Sequence, residues 1–291
     1  MPDTSPDTIP DVNTLSLEVD GRKLTGLTGK SGSQHRILCI HGWLDNANSF
    51  KPLLPLINNA EIVALDLPGH GHSDHQREIY SLAAQAHTVL AAADALNWKS
   101  FTLAGHSLGG CIAPFATVAA KDRIEKLVLI EAAGPMSEPP ESLPARLARF
   151  HEDMSAPDKY RSRVFDSIEQ AVESRLRANK MTHDSARLIV ERQLKEVHID
   201  GSVKWQWRFD SKLRTTSPHY FTEGQVQSVL TAIDCPVLCI LADEGYVLQR
   251  KESEARLDCI KDLSLKKLKG HHHLHLDNPQ AVADEINQFL K

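Results

Sequence analysis

The stretch 105–109, with the sequence Gly-His-Ser-Leu-Gly, limits the possible folds of this chain more than any other. The apolar run from Phe101 to Ala104 predicts a short buried strand before it, and the small and apolar residues from Leu108 to Ala120 predict a helix after it. The five residues must therefore turn a strand sharply into a helix. Because glycines two positions either side of Ser107 remove side chains that would clash, the serine hydroxyl should project from a strained corner.

This turn has two interpretations. A G-x-S-x-G pattern also occurs as an ordinary glycine-rich turn, whereas its place between a strand and a helix favours an exposed nucleophile. A nucleophilic serine needs a base, an acid that orients the base, and donors for the oxyanion that forms. The remainder of the chain decides between the two interpretations.

Strand and helix patterns alternate along most of the chain. Asp20-Gly21 separates two alternating segments and predicts an antiparallel hairpin. Continuous apolar runs follow, as expected for parallel strands covered on both faces. Between them we expect helices at about residues 49–57 and 81–96, and a last helix that begins at Pro279. Such runs are Ile37 to Ile40 and Ile62 to Leu65, and the series of predicted strands continues with Phe101 to Ala104, Lys126 to Ile130, Pro236 to Leu241 and Leu263 to Leu268.

The alternation stops between about Pro135 and Phe221. This segment has amphipathic helical stripes and one strand-like alternation from Val203 to Phe209. We therefore expect an α/β fold with a mostly parallel central sheet flanked by helices, formed by residues 1–134 and 222–291. Residues 135–221 would be a mainly helical insertion, inserted after the strand that follows the serine turn. It would serve as a cap over a pocket, or as a packing subdomain without contact to substrate.

Charge and composition argue against several classes of partner. The chain has 33 basic and 38 acidic residues, a formal charge of −5, and no block of like charge, so we expect neither nucleic acid nor a membrane as a partner. The first 12 residues hold three prolines in a polar tail without the apolar core of a signal peptide. No stretch reaches the roughly 18 apolar residues of a membrane span. Five cysteines, an odd number, do not form an even disulfide framework, and we expect a cytoplasmic protein.

Three further stretches accompany the serine turn: residues 41–47 (His-Gly-Trp-Leu-Asp-Asn-Ala), 66–74 (Asp-Leu-Pro-Gly-His-Gly-His-Ser-Asp), and 270–279, which holds four histidines before Pro279. In this order the motifs resemble the α/β-hydrolase family over residues 35 to 291. The chain is most similar to the serine hydrolase-like proteins, because of the 41–47 stretch and the position of Glu131. The family uses the 66–74 loop for backbone shape, so its histidines receive no chemical role.

The resemblance implies site residues. Ser107 would be the nucleophile, and His272, counted back from Pro279, would be the base that takes its proton. The backbone N–H groups of Trp43 and Leu108 would form the oxyanion hole. The alternative for Trp43 is that the turn before it only redirects the chain and that its indole packs in the core.

The acid departs from the commonest family pattern, because Gly245 occupies the usual position. Two carboxylates offer substitutes. Glu131 directly continues a buried strand, where a carboxylate needs a partner such as an imidazolium, and Asp243 lies two residues before the usual place. The sequence favours Glu131 over Asp243, and the remaining possibility is that each caps a strand end.

The histidine tract at 271–275 has a rival interpretation as a metal site. No thiolate or carboxylate cluster accompanies it in the sequence, so we expect no metal and no cofactor. The resemblance implies hydrolysis of a small carboxylic ester through an acyl-enzyme. A serine argues against the related enzymes with a carboxylate nucleophile. Cleavage of C–C bonds or lactones by the same triad, and a non-catalytic binding protein, are the alternatives.

Overall fold

Eight strands form one central sheet in this computed structural model, which describes residues 12–30, 32 and 34–291. The polar tail expected at residues 1–12 lies, except for Val12, outside the described residues. The sheet order is β1-β2-β4-β3-β5-β6-β10-β11, and three more strands form a separate small sheet. The strands are β1 (Asn13–Val19), β2 (Arg22–Lys30), β3 (His35–Ile40), β4 (Ala60–Leu65), β5 (Phe101–His106), β6 (Ile124–Ile130), β7 (Val164–Phe165), β8 (Leu194–Ile199), β9 (Ser202–Trp207), β10 (Val237–Ala242) and β11 (Leu263–Leu268).

The sheet is mostly parallel, as the sequence predicts. β1 and β2 form the expected antiparallel hairpin, β2 pairs antiparallel with β4, and every later pairing in the central sheet is parallel. Helices connect the strands. They are α1 (Leu82–Ala95), α2 (Leu108–Ala119), α3 (Leu143–Ser155), α4 (Ile168–Ala178), α5 (His183–Gln193), α6 (Glu223–Thr231), α7 (Ser253–Leu257), α8 (Leu274–Asp277) and α9 (Pro279–Leu290).

Both faces of the central strands β3, β4, β5, β6 and β10 are buried, which explains why these strands read as continuous apolar runs. Leu103 of β5 packs in the core cluster that contains α1 and α2 residues such as Val89 and Ile112. The next residue, Ala104, packs in the opposite cluster, which contains Ile286 of α9. Adjacent residues of one strand thus enter two different cores.

The prediction of a helix at residues 49–57 is wrong. Two short 3-10 turns stand there instead, Ala47–Phe50 and Leu54–Leu56. Pro52 and Pro55 lack the N–H groups that an α-helix needs, and the Asn46 side chain caps the first turn by accepting a hydrogen bond from the Asn48 N–H. In contrast, α2 continues through Pro114.

Between β6 and β10 the chain leaves the central sheet. We refer to residues 135–221, which hold α3, α4, α5 and the small sheet β7-β9-β8, as the insert. It has an apolar cluster of its own, in which Phe165, Val172 and Val190 are buried. The predicted alternation around Val203 forms β9, whose two tryptophans, Trp205 and Trp207, pack against that cluster.

A buried ion pair joins the insert to the central domain. Arg192 of α5 binds Asp66 through its Nε, 2.9 and 3.0 Å from the two carboxylate oxygens, and through a terminal nitrogen at 2.7 Å. The same carboxylate accepts hydrogen bonds from the Ala47 N–H and the Thr25 hydroxyl, both at 2.7 Å. Burial alone would raise the pKa of Asp66, but hydrogen bonds and charge from Arg192 lower it overall.

No helix within the described residues is long and apolar enough to cross a membrane.

We predict that Arg192→Met lowers the free energy of unfolding by about 3–5 kcal/mol, because it leaves the Asp66 charge buried without its cation. The measurement is urea unfolding followed by circular dichroism. Arg187→Met on the same helix is the matched control, since Arg187 is exposed and pairs with Glu169 at the surface. Its effect should stay below about 1 kcal/mol. Equal effects of the two substitutions would show that the buried pair contributes nothing special to stability.

Candidate active site

Ser107 stands at the corner between β5 and α2 in a strained backbone conformation. Its φ is 51° and its ψ is −110°, a region that residues with a side chain rarely adopt. The flanking glycines are required by close backbone approaches. A Cβ on Gly105 would lie 2.4 Å from the Gly109 backbone, and a Cβ on Gly109 would lie 2.0 Å from the Ile40 carbonyl oxygen. The corner therefore depends on both glycines.

The structure brings three of the predicted side chains into one hydrogen-bonded line. His272 lies in the loop between β11 and α8, and its Nε2 is 2.9 Å from the Ser107 Oγ. The Nδ1 of the same ring is 3.1 Å from an oxygen of Glu131. In this arrangement a neutral imidazole can accept the serine proton while Nδ1–H donates to the carboxylate.

Glu131 directly follows β6 and is almost fully buried, with 2% of its surface exposed. Its two oxygens accept hydrogen bonds from the backbone N–H groups of Ala242, at 2.8 Å, and Tyr246, at 3.0 Å. These donors hold the carboxylate beside His272. Glu131 itself has a φ of 51°, so its backbone is also in the left-handed region.

The usual acid position, 245, holds a glycine, and the Glu131 carboxylate fills the space that a side chain at this position would occupy. A Cβ on Gly245 would lie 2.2 to 2.4 Å from the Glu131 carboxylate atoms. Side chains cannot approach so closely. Glycine at 245 and glutamate at 131 are therefore parts of one arrangement.

Asp243, the other carboxylate considered, is exposed and points elsewhere. It accepts a hydrogen bond from the Gly270 N–H at 2.8 Å, and no contact with His272 is found among the described residues. Asp243 thus supports the start of the histidine loop, whereas Glu131 contacts the imidazole.

The Trp43 N–H lies in the turn after β3 and the Leu108 N–H lies at the start of α2, and these are the two backbone groups expected at an oxyanion hole. Neither the Trp43 nor the Leu108 N–H donates to a protein acceptor in the described part of the chain, while the neighbouring Gly109 N–H binds the His41 carbonyl at 3.0 Å. The Trp43 indole is 52% exposed and donates to the Leu213 carbonyl of the insert at 2.9 Å, so it is not a core residue.

The loop at 66–74 has a structural role. Gly71 has a φ of 52°, and a Cβ there would lie 2.3 to 2.5 Å from the Asp66 carboxylate. His70 is fully buried, and desolvation lowers the pKa of its imidazole to about 3, so it is neutral. The loop thus supports Asp66, which binds Arg192.

A buried polar cluster next to His272 was not predicted from the sequence. It contains Asp45, His106, His273 and Arg175. The Arg175 guanidinium of α4 pairs with the Asp45 carboxylate. His273 Nε2 lies 3.3 Å and His106 Nδ1 3.7 Å from the other Asp45 oxygen. The other His106 nitrogen is 2.8 Å from the His272 carbonyl oxygen and must donate to it.

The charges in this cluster follow from burial. Desolvation, together with nearby imidazoles, lowers the pKa of His106 well below its usual range, and desolvation also lowers that of His273. Burial would raise the pKa of Asp45, but Arg175 and then His273 hold it well below its usual range. The cluster therefore pairs one carboxylate with one guanidinium, between neutral imidazoles.

These groups are also of the kind that ligate metals. Asp45, His106 and His273 bring ligand atoms within 4.8 Å of one another. The Arg175 guanidinium, however, binds Asp45 and lies 3.4 Å from His273 Nε2, so the positive charge that the carboxylate needs is already present. A divalent ion at this place would sit beside a guanidinium in a buried site, which electrostatic repulsion disfavours.

Comparisons with known proteins agree with this architecture. A serine hydrolase-like protein of Danio rerio is 30% identical over 269 residues, which cover 88% of this chain and 81% of that protein. A probable serine hydrolase of Drosophila melanogaster is 30% identical over 283 residues, covering 89% and 82%. The crystal structure of a hypothetical protein from Pseudomonas aeruginosa has a TM-score of 0.88 and 32% identity, covering 95% of this chain and 99% of that one. A family model described as the alpha/beta hydrolase fold matches residues 35–232, and the chain therefore belongs to the α/β-hydrolase fold family.

Proposed function

We propose that the protein is a serine hydrolase that cleaves small carboxylic esters through an acyl-enzyme. The observation that carries this proposal is the unbroken line from Ser107 Oγ through His272 to Glu131, at 2.9 and 3.1 Å. The backbone N–H groups of Trp43 and Leu108, the latter directly after the serine, donate to no protein acceptor in the described part of the chain. The relatives named as serine hydrolases support a serine nucleophile.

Acylation follows from this geometry. The Ser107 oxygen attacks the ester carbonyl carbon while its proton passes to His272 Nε2. The carbonyl oxygen gains negative charge and accepts hydrogen bonds from the Trp43 and Leu108 N–H groups. When the tetrahedral intermediate collapses, the C–O bond to the alcohol breaks, and the imidazolium gives its proton to the leaving oxygen. Glu131 remains ionised and stabilises the imidazolium.

Deacylation repeats the same steps with water. His272 takes a proton from a water molecule, whose oxygen attacks the acyl carbon. The second intermediate collapses by breaking the bond to the Ser107 oxygen, which regains its proton from His272. The products are a carboxylic acid and free enzyme, so one water is consumed for each ester.

In this proposal residues 135–221 form a cap on a core of residues 1–134 and 222–291. The hydrogen bond from the Trp43 indole to Leu213 supports a cap that borders the site. Trp205 and Trp207 belong to the apolar cluster of the insert, and Trp207 stacks on Phe209 with ring centroids 5.9 Å apart. Substrate contacts from the cap are therefore expected from other residues, among them those near Trp43.

We predict that the protein hydrolyses p-nitrophenyl acetate or butyrate and that Ser107→Ala lowers kcat/KM by at least about 10³-fold. A fluorophosphonate probe should label Ser107, as read by mass spectrometry of the peptide. Cys111→Ala is the control, since burial raises the pKa of this nearby thiol to about 11 and makes it a poor nucleophile. Absence of turnover by the wild type, or turnover unaffected by Ser107→Ala, contradicts the ester hydrolase. Cleavage of lactones or C–C bonds instead would assign the same triad to the other reaction.

We predict that Glu131→Gln lowers kcat by about 10²-fold or more, because an amide beside Nδ1 no longer stabilises the imidazolium or fixes the productive tautomer. Asp243→Asn should stay near the wild-type rate, since an amide oxygen can still accept from the Gly270 N–H. Steady-state kinetics of both variants provide the measurement. The reverse ranking would assign the acid to Asp243.

We predict that Gly245→Ala lowers the free energy of unfolding by about 1–3 kcal/mol, because the added methyl group overlaps the Glu131 carboxylate. In a Glu131→Ala background the same substitution should have little effect, which a double-mutant cycle by urea unfolding measures. Gly224→Ala in α6 is the control, since nothing lies within 4 Å of its added Cβ. Equal effects of Gly245→Ala in both backgrounds would separate residue 245 from Glu131.

A further inference from the structure

Arg175 comes from the insert but reaches the loops that form the candidate active site. It lies in α4, and 12% of its side chain is exposed. Besides the Asp45 carboxylate, it contacts the Leu44 carbonyl through its other terminal nitrogen, at 3.3 Å. The sequence places about 130 residues between these partners, so only the fold brings them together.

The first loop that Arg175 holds is the oxyanion turn. Leu44 has a φ of 57°, an unfavourable conformation for a leucine that surrounding contacts must maintain. The Asp45 N–H closes the turn on the Gly42 carbonyl at 3.1 Å. The Asp45 carboxylate lies directly under Gly42, where a Cβ would be 2.9 Å from its oxygen. Fixing Leu44 and Asp45 therefore fixes the intervening backbone around Trp43, whose N–H points to the substrate in the proposed mechanism.

The second loop is the one that carries His272. Asp45 lies 3.3 Å from the ring of His273, the next residue along the chain. The His106 ring lies 4.8 Å from the His272 ring, tilted by 48°, and its Nε2 donates to the His272 carbonyl at 2.8 Å. Because Nε2 carries the proton of this neutral ring, its Nδ1, 3.7 Å from Asp45, donates nothing to that carboxylate. Through His273, the loop of the base thus rests on the same carboxylate as the oxyanion turn.

Arg175 supplies the cation that this carboxylate requires. Asp45 is 1% exposed, and a buried carboxylate without a paired charge is destabilised. Because the neighbouring imidazoles are neutral, loss of the guanidinium would leave Asp45 free to protonate or to turn toward another donor. Either change removes the anchor on which both loops rest.

We propose that Arg175 is a positioning residue that, through Asp45, holds the Trp43 N–H and His272 in fixed positions relative to each other. This inference deepens the proposed function and rests on it. Docking of the insert does not depend on Arg175 alone, because Arg192 binds Asp66 and Asn46 donates to the Ile189 carbonyl at 2.8 Å. The role of Arg175 can therefore be separated from attachment of the insert.

The test compares Arg175→Met and Arg175→Lys with Arg146→Met. Arg146 is the matched control, since it is an insert arginine that pairs with Glu138 and stacks on Tyr220, away from both loops. Arg175→Met should lower kcat on p-nitrophenyl butyrate by about 10²-fold with KM changed less than about threefold, because a displacement of about 1 Å costs that much. Arg175→Lys keeps the positive charge but not the second terminal nitrogen that reaches the Leu44 carbonyl. Its kcat should therefore fall between those of Arg175→Met and the wild type.

Two further measurements exclude a merely structural effect. Amide hydrogen exchange should accelerate at residues 42–46 and 271–275 in Arg175→Met, but not across α5, and should be unchanged in Arg146→Met. Added guanidinium ion should restore part of the activity of Arg175→Ala and none to Arg146→Ala. An unchanged kcat in Arg175→Met, or exchange that rises equally throughout the insert, overturns the proposal.

Failure of ester hydrolysis and failure of the positioning role give different results. If the wild type neither hydrolyses esters nor reacts with the fluorophosphonate, ester hydrolysis fails. Hydrogen exchange in the two loops still decides whether Arg175 holds them, because that measurement needs no substrate. If ester hydrolysis holds and the exchange and kcat of Arg175→Met match the wild type, only the positioning role fails.

Discussion

The parallel pairing of the neighbouring strands β3, β5, β6, β10 and β11 determines which residues of this protein can meet in one site. The carboxyl ends of parallel strands meet at one edge of a sheet. The turn around Trp43 follows β3, Ser107 follows β5 and Glu131 follows β6, while Gly245 and His272 follow β10 and β11. These groups are far apart in sequence, yet all of them lie beyond the carboxyl ends of neighbouring strands. The close backbone approaches around Ser107 are possible because glycines stand where the chains come together.

The acid of the proposed triad can come from either of two neighbouring strands at this edge of the sheet. β6 and β10 are adjacent, with Ile130 paired to Ile240, so a carboxylate after either strand can approach the histidine loop. Only one can occupy the space. Glu131 fills it, receives two backbone hydrogen bonds and leaves room for nothing larger than glycine at 245. In the proposed triad, the neighbouring strand therefore supplies the acid that is absent at position 245.

The sequence predicts the sheet well, because apolar runs and glycine turns are local signals. It predicts the helix at 49–57 wrongly, because two prolines there interrupt the backbone hydrogen bonds of an α-helix. It also proposes two candidates for the acid, but choosing between Glu131 and Asp243 needs the distance to His272. The cluster around Asp45 has no local signal at all: Arg175 lies in an amphipathic helix like many exposed arginines, and only tertiary contacts bury its charge.

The same contacts bear on how substrate reaches the serine. A rigid outward rotation of α4 and α5 would separate Arg175 from Asp45 and Arg192 from Asp66, so that four charged groups would lose their partners. Because both pairs would have to break together, such a rotation is disfavoured. In the proposed enzyme this half of the insert is therefore a fixed wall of the site and not a moving lid. Its rigidity is consistent with the positioning role that we infer for Arg175 of α4. A helix that moved freely could not hold the turn around Trp43 and the loop of His272 in fixed positions.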